Sequence, residues 1–336
     1  MADEGYELSD EWQDWVIDNA LRGAQAQELI ESLREEELSD ELAEREVLRI
    51  LSSRAFRAAV GWRRRSLRFE KVNALKRALH EGHAPPEIER RSSVSPHELR
   101  ARYLAHGQPV VLSDVVSDWP ALTRWTDSYL KERLGQLQVT CCRGRDAERD
   151  PCVDIKRFFV EMSFAEFIDE VANSGVSNDL YLVGNNRFIE REGASTLLDD
   201  LDDRIHAYLD APVSPKRCSL WIGPAGTLTE LHHDPTSVLY AQVRGEKRFR
   251  LLSPHCSAAL LSAKNTYPQR PLEELAEEAG DRVYEVLLKP GELLLLPAGW
   301  WHEVSALSPS ISLGIVNIKG PTSFKWYYPG LVTGIG

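Results

Sequence analysis

A mainly β core with flanking helices, preceded by an N-terminal α-helical bundle, is the fold class that this 336-residue sequence predicts. Three observations predict it. Residues 9–80 carry apolar side chains at helical spacing. Short strand-like runs separated by turn residues crowd the later part of the chain. A Pro-Pro pair at residues 85–86 divides the two regimes.

The elements follow in order. Ser9 caps a first helix holding Trp12, Trp15, Val16 and Leu21, which Gly23 ends. A second helix runs from Gln25 to Leu38 with Leu29, Ile30 and Leu33 on one side. Ser39 opens a third with Leu42, Val47, Leu48 and Leu51. Helices this short must pack together or on a partner, so Trp12 and Trp15 read as core residues. Residues 1–84 are therefore expected to form a helical domain for dimerisation or substrate docking, and residues 85–336 the β-rich domain. A loop around Arg90–Ser93 leads to a helix capped by Ser95, with Pro96 in its first turn. Strands are expected at 109–113, 138–142, 180–183, 219–222, 237–243, 247–252, 293–296 and 311–317, and helices at 164–172 and 273–279. Many short strands late in the chain suit a double-stranded β-helix.

Composition excludes several classes. No apolar stretch approaches the roughly 20 residues of a membrane span. The acidic N-terminus lacks a signal-peptide n-region, so a cytoplasmic location is expected. The cysteines (141, 142, 152, 218 and 256) are odd in number and irregularly spaced, which fits reduced thiols. A net charge of −12 disfavours nucleic acid as a partner. The charge is uneven: residues 3–46 are acidic, whereas Arg54, Arg57, Arg63, Arg64, Arg65, Arg68, Lys71, Lys76 and Arg77 form a basic run. That run is either a solvated helix face paired with the acidic segment or a docking surface, for an acidic peptide before RNA.

The chemistry concentrates in two runs, GTLTELHHDP (226–235) and LLLLPAGWWH (293–302). In a strand, residues i and i+2 share a side, so His232 and Asp234 project together and His233 faces away. His302 follows an apolar run and a Pro-Ala-Gly turn, at the start of another strand. Two imidazoles and one carboxylate can occupy one face of an octahedral Fe(II) and leave the other open. The same donors also bind zinc. Lys247, in GEKRFRL (245–251), offers a cation for an acid, while Thr229 and Tyr181 offer hydroxyls. Tyr240 and Phe249 read as core packing.

The segment from about Ser219 to Gly320 resembles the JmjC/cupin-like class of Fe(II)- and 2-oxoglutarate-dependent oxygenases, whose fold is the double-stranded β-helix (jelly-roll/cupin). It is closest to the protein-hydroxylase branch, which includes the asparaginyl hydroxylase of hypoxia-inducible factor. Upstream, QPVVLSDVVSDWPAL (108–122) and WTDSYL (125–130) extend the resemblance to roughly residues 85–325. It implies that His232, Asp234 and His302 ligate iron, and that Lys247, Thr229, Tyr181 and Asn317 bind or adjoin 2-oxoglutarate. It also implies O2 as cosubstrate, decarboxylation to succinate and hydroxylation of an aliphatic C–H on a peptide or protein side chain, with a homodimer as the assembly. Gln242, Asn186, Arg187 and Trp301 are candidates to face the substrate. The resemblance departs at Val238, where the family commonly carries asparagine. Two other readings stand beside this one: a hydroxylase of a small metabolite or RNA base, and a non-catalytic metal-binding cupin module.

Overall fold

The structure is a computed structural model that describes residues 7–36, 38–81, 87–147, 155–264, 267–268 and 270–320. The Pro-Pro boundary, Cys152 and the acidic first residues lie outside the described residues. The chain divides into two compact units, residues 1–76 and 77–336.

In the first unit, helices α1 (Asp10–Arg22), α2 (Ala26–Glu35) and α3 (Asp40–Ser52) enclose a core of Val16, Leu29, Ile30, Leu33, Ala43, Val47 and Ile50. Ser9 and Ser39 accept the Trp12 and Leu42 amides, and Gly23 ends α1 at φ +116°, so the caps form where the sequence puts them. Trp12 and Trp15 meet edge-to-face, partly buried against this core. Leu48, expected to be apolar core, is half exposed. Helix α4 (Arg54–Glu81) carries the basic run as one long helix. Its apolar side chains Trp62, Phe69, Val72 and Leu75 are exposed among those cations. Among the described residues, no helix is long and apolar enough to cross a membrane.

The second unit is built on the strands β1 (Glu89–Arg91), β2 (Val110–Leu112), β3 (Gln138–Cys142), β4 (Phe159–Ser163), β5 (Cys218–Gly223), β6 (Leu228–His233), β7 (Val238–Arg244), β8 (Lys247–Leu252), β9 (Ala263–Lys264), β10 (Tyr267–Pro268), β11 (Tyr284–Leu288), β12 (Leu293–Leu296), β13 (Trp301–Ala306) and β14 (Ser310–Ile315). Two antiparallel sheets face each other, ordered β1-β2-β12-β7-β14-β5 and β11-β8-β13-β6, with β1–β2 the one parallel pair among the described strands. Val238, Tyr240, Leu294 and Leu296 of the first sheet meet Phe249, Leu251, Val286 and Val304 of the second between them.

The apolar run at 293–296 is buried on both faces. Leu294 and Leu296 point between the sheets, while Leu293 and Leu295 point outward onto a helical layer. That layer includes α7 (Asp127–Leu134), which follows the short α5 (Pro96–Glu98) and α6 (Ala121–Arg124), and α8 (Phe164–Asn173). Leu130, Phe164, Phe167 and Ile168 fill it. On the other sheet, Leu231, Leu252 and Trp301 face α9 (Ser257–Ser262) and α10 (Leu272–Ala279). The double-stranded β-helix expected of the later chain is thus a sandwich closed by helices on both outer faces.

Three expectations change. Residues 89–91, read as loop, pair in parallel with β2. The strand expected at 180–183 is a pair of isolated bridges, Tyr181 to Cys142 and Leu182 to Ile222. Strands β4 and β11 have no counterpart in the sequence reading; β4 alternates poorly because neither of its faces is fully buried.

Candidate metal centre

Strand β13 pairs with β6 on one side and β8 on the other, and this pairing sets His302 directly across from His232. The register slips between His302 and Val304, where Glu230 and Leu231 together oppose Glu303. This β-bulge re-aims the chain, so that Thr229 and His232 face the interior alongside Val304 and His302. Asp234 follows two residues after His232 and returns to the same side. Its carbonyl accepts from Gly299 (2.9 Å), and Ser237 accepts from the amide of Ala298 (3.0 Å). Gly299 sits at φ +85°, a conformation glycine adopts without a Cβ clash. The Pro-Ala-Gly turn is therefore fastened to the turn after β6, and His302 emerges beside Asp234.

The two imidazole centroids lie 4.1 Å apart. His302 Nε2 is 3.7 Å from Asp234 Oδ2, and one ligand atom from each of the three residues falls within 4.8 Å of the others. Both rings are held from behind. His232 Nδ1 meets the Glu230 carbonyl at 2.8 Å, and His302 Nδ1 meets the Trp300 carbonyl at 3.0 Å. A carbonyl can only accept, so each Nδ1 carries the hydrogen and each Nε2 presents its lone pair to the centre. Burial, then the neighbouring His232, pushes the His302 pKa down to about 3 and keeps this ring neutral. His302 Nε2 is buried without a hydrogen-bond partner. An orphaned nitrogen facing a carboxylate and a second imidazole is the arrangement a divalent ion satisfies.

Beyond His302 the interior narrows to a recess of about 30 Å³ with Lys247 at its wall. Lys247 is buried, its Nζ 3.4 Å from the Tyr181 hydroxyl, which is in turn 3.4 Å from Thr229 Oγ1. Burial lowers the Lys247 pKa to about 7. A desolvated ammonium with two hydroxyls suits one end of a small acid. Arg145, wholly buried, stands over the Tyr181 ring at 5.2 Å and donates to the Leu228 carbonyl at 2.7 Å. It braces the phenol and the start of β6 together.

On the other side of the centre opens a cavity of about 420 Å³, walled by Phe159, Trp221, Tyr240 and Val316. The Trp221 indole is gripped between Gly184 and Gly314, where an added Cβ would come within 2.3 Å and 2.7 Å of it. Tyr240 donates to Asp234 Oδ2 at 3.2 Å. Burial, then the Asp234 carboxylate, holds this phenol well above its ordinary range, so it stays a donor. Val238 lines the cavity as an apolar side chain.

His232, Asp234, His302, Thr229, Lys247 and Tyr181 are thus drawn into one interior. Five other candidates are not. Gln242 is fully buried at the far end of β7, its amide donating to the Arg244 and Gly245 carbonyls and its oxygen accepting from Ser312 (2.8 Å); it closes the β7–β8 turn. Asn317 points opposite to cavity-lining Val316 and donates to the Ala211 carbonyl, away from the recess. Trp301 lies on the outer face of its sheet against His233, because its neighbour His302 takes the inner face. Asn186 spends its amide on the Leu220 carbonyl and the Phe188 amide, and Arg187 pairs with Glu190 at the surface. Tyr240, Trp221 and Arg145 were missed as site residues. Only Tyr240 had a signal, its even spacing from Val238 along β7.

Residues 96–318 match the family model of the cupin-like domain. The chain is 29% identical over 242 residues to "Lysine-specific demethylase JMJ30" of Arabidopsis thaliana, covering 67% of this chain and 53% of that protein. It is 29% identical over 243 residues to "Jumonji C domain-containing protein 5" of Drosophila melanogaster (68% and 59%), and 27% identical over 237 residues to "HSPB1-associated protein 1 homolog" of Danio rerio (64% and 53%). The chain spans little more than half the length of these relatives.

Proposed function

Because the chain belongs to the cupin-like JmjC family, whose enzymes use Fe(II) and 2-oxoglutarate, we propose that it is a 2-oxoglutarate-dependent oxygenase that hydroxylates an aliphatic C–H of a peptide or protein side chain. The observation that carries this reading is the convergence of His232, Asp234 and His302 between a lysine-ended recess and an open cavity. Ligand type alone would also accept zinc; the family match and the buried Lys247, placed to pair with a dicarboxylate cosubstrate, favour iron.

Bound iron would supply the oxidative chemistry, splitting O2 with decarboxylation of the keto acid and inserting oxygen into the substrate. The protein's part is positioning and charge. His232 and His302 present their lone pairs because backbone carbonyls hold the other nitrogens. Lys247 neutralises the far carboxylate of 2-oxoglutarate, and Tyr181 and Thr229 donate to it. Phe159, Trp221 and Val316 form apolar walls that keep water from the reacting carbon.

The name of one relative, "Lysine-specific demethylase JMJ30", favours a second reading, removal of a methyl group from N-methyl-lysine. One experiment separates the two. The protein, Fe(II), 2-oxoglutarate and a peptide library carrying unmodified and methylated lysines are incubated in air and read by mass spectrometry. A gain of one oxygen with succinate supports hydroxylation. Loss of a methylene with formaldehyde supports demethylation. Absence of succinate under every condition removes the oxygenase reading.

A further inference from the structure

Each of the three converging side chains has one hydrogen-bond partner, and the third differs in kind and in place: the two imidazoles are held at the nitrogen remote from the centre, the carboxylate at Oδ2, the oxygen that faces His302. For His232 and His302 the partner is a main-chain carbonyl two residues upstream, which no substitution at that position removes. For the Asp234 carboxylate it is the side chain of Tyr240, six residues later on the neighbouring sheet. Among the described residues this phenol is the hydrogen-bond donor that the carboxylate has. We propose that Tyr240 is the positioning residue of the metal centre: its hydroxyl fixes the Asp234 carboxylate so that Oδ2 faces His302 and closes the triad. This rests on reading the triad as a metal site.

The surroundings of Tyr240 fit the role. Its ring is wedged between Trp221 (centroids 5.4 Å apart) and Phe249 (5.5 Å), and its edge meets His302 at 6.3 Å. These three aromatic neighbours and contacts in the sheet leave the ring little freedom, so the hydroxyl is presented at a fixed point. Gly314 stands opposite Tyr240 in the β7–β14 register, and its lack of a side chain makes the room in which Trp221 lies over the phenol. Asp234, by contrast, lies just past the end of β6 with its side chain one-third exposed, so strand pairing does not orient it. A carboxylate at a strand end rotates freely unless something holds it. The rigid phenol transfers the order of the opposite sheet to the ligand that lacks its own. A partner of this kind adds affinity by preparing the ligand before the ion arrives.

The test is Mn(II) binding by the ligand-free protein, followed by the electron paramagnetic resonance of the free ion. Tyr240→Phe keeps the ring and its packing and deletes the oxygen; Asp234 stays partly solvated, so the variant should fold, which its melting curve checks. Mn(II) affinity is expected to drop about tenfold or more. Tyr240→Leu should lose no more than Tyr240→Phe if the hydroxyl is what matters. A loss with leucine but wild-type affinity with phenylalanine would overturn the proposal and leave only a packing role. The Co(II) absorption spectrum gives a second readout: the freed carboxylate should alter the ligand-field bands of Tyr240→Phe, and an unchanged spectrum overturns the proposal. Should the wild-type protein itself bind no Mn(II), the underlying reading of the triad fails as well, whereas equal binding by wild type and Tyr240→Phe sinks the Tyr240 role alone.

Discussion

Thr229 and His232 project into the same interior although three positions separate them on one strand. An unbroken strand would put them on opposite faces. The bulge at Glu230–Leu231 reverses that parity and also delivers the Glu230 carbonyl to His232 Nδ1. One local irregularity therefore places a hydroxyl in the recess and fixes the tautomer of an imidazole.

Face assignment on β6 and β13 predicts opposite outcomes for two histidines on these paired strands. His302→Ala should abolish Mn(II) binding and turnover, because the orphaned Nε2 is lost. His233→Ala should keep the ion, since its ring packs edge-on against Trp301 on the outer face, at 4.5 Å. Its effect should be a destabilisation of about 1–3 kcal/mol from lost packing. Urea unfolding and Mn(II) titration of both variants check this; an ion-free His233→Ala would mean that the register is misassigned.

Lys247 gives the ligand-free protein a pH signature. Its folded pKa, about 7, lies below the ordinary lysine value of 10.5 because of burial. Between those values the unfolded chain binds the extra proton, so this residue makes stability rise with pH across that window. Lys247→Met should flatten the slope. A bound dicarboxylate reverses the preference and draws the proton back, so 2-oxoglutarate affinity should weaken above about pH 7 by up to about tenfold per unit. Calorimetry at pH 8 in buffers of different ionisation heat should show uptake approaching one proton, absent in Lys247→Met.

Gly314→Ala should damage the cavity without touching a ligand. The new Cβ would meet the Trp221 indole at 2.7 Å, and Gly184 already crowds the same ring, so the indole would be pushed out of its slot toward the cavity. Overpacking of this sort costs about 1–3 kcal/mol. Denaturant unfolding should report the loss and tryptophan fluorescence the displaced indole, while Mn(II) affinity falls by less than in Tyr240→Phe, because the phenol loses its wedge but keeps its hydroxyl.

Much of the architecture was readable from the chain, and the reasons are specific. Strands 138–142, 247–252 and 293–296 end where expected, since branched and apolar runs stop at turn residues there. Helix caps at Ser9, Ser39 and Ser95 are local chemistry and need no tertiary knowledge. His232 and Asp234 followed from a period of two, but the companionship of Thr229 did not, because a bulge is invisible to periodicity. Trp301 was readable and misread: alternation from His302 already turns it outward. Gln242, Asn186 and Asn317 carry amides that main-chain carbonyls claim, and which carbonyls come near depends on the fold. Tyr240 looked like packing because a buried aromatic on a strand usually is; its hydroxyl gained a task only once Asp234 came within 3.2 Å.

The third donor, His302, arrives late in the chain, on a strand that must slot between β6 and β8. A growing polypeptide cannot grip an ion with all three donors until that insertion is done. Occupancy of the centre is then a certificate of completed assembly, and any ion bound there stabilises the finished state over every earlier one in proportion to its concentration. Damage far from the three converging side chains, anywhere along the seam that admits β13, should first be noticed as a protein that leaves the cell's metal pool untouched.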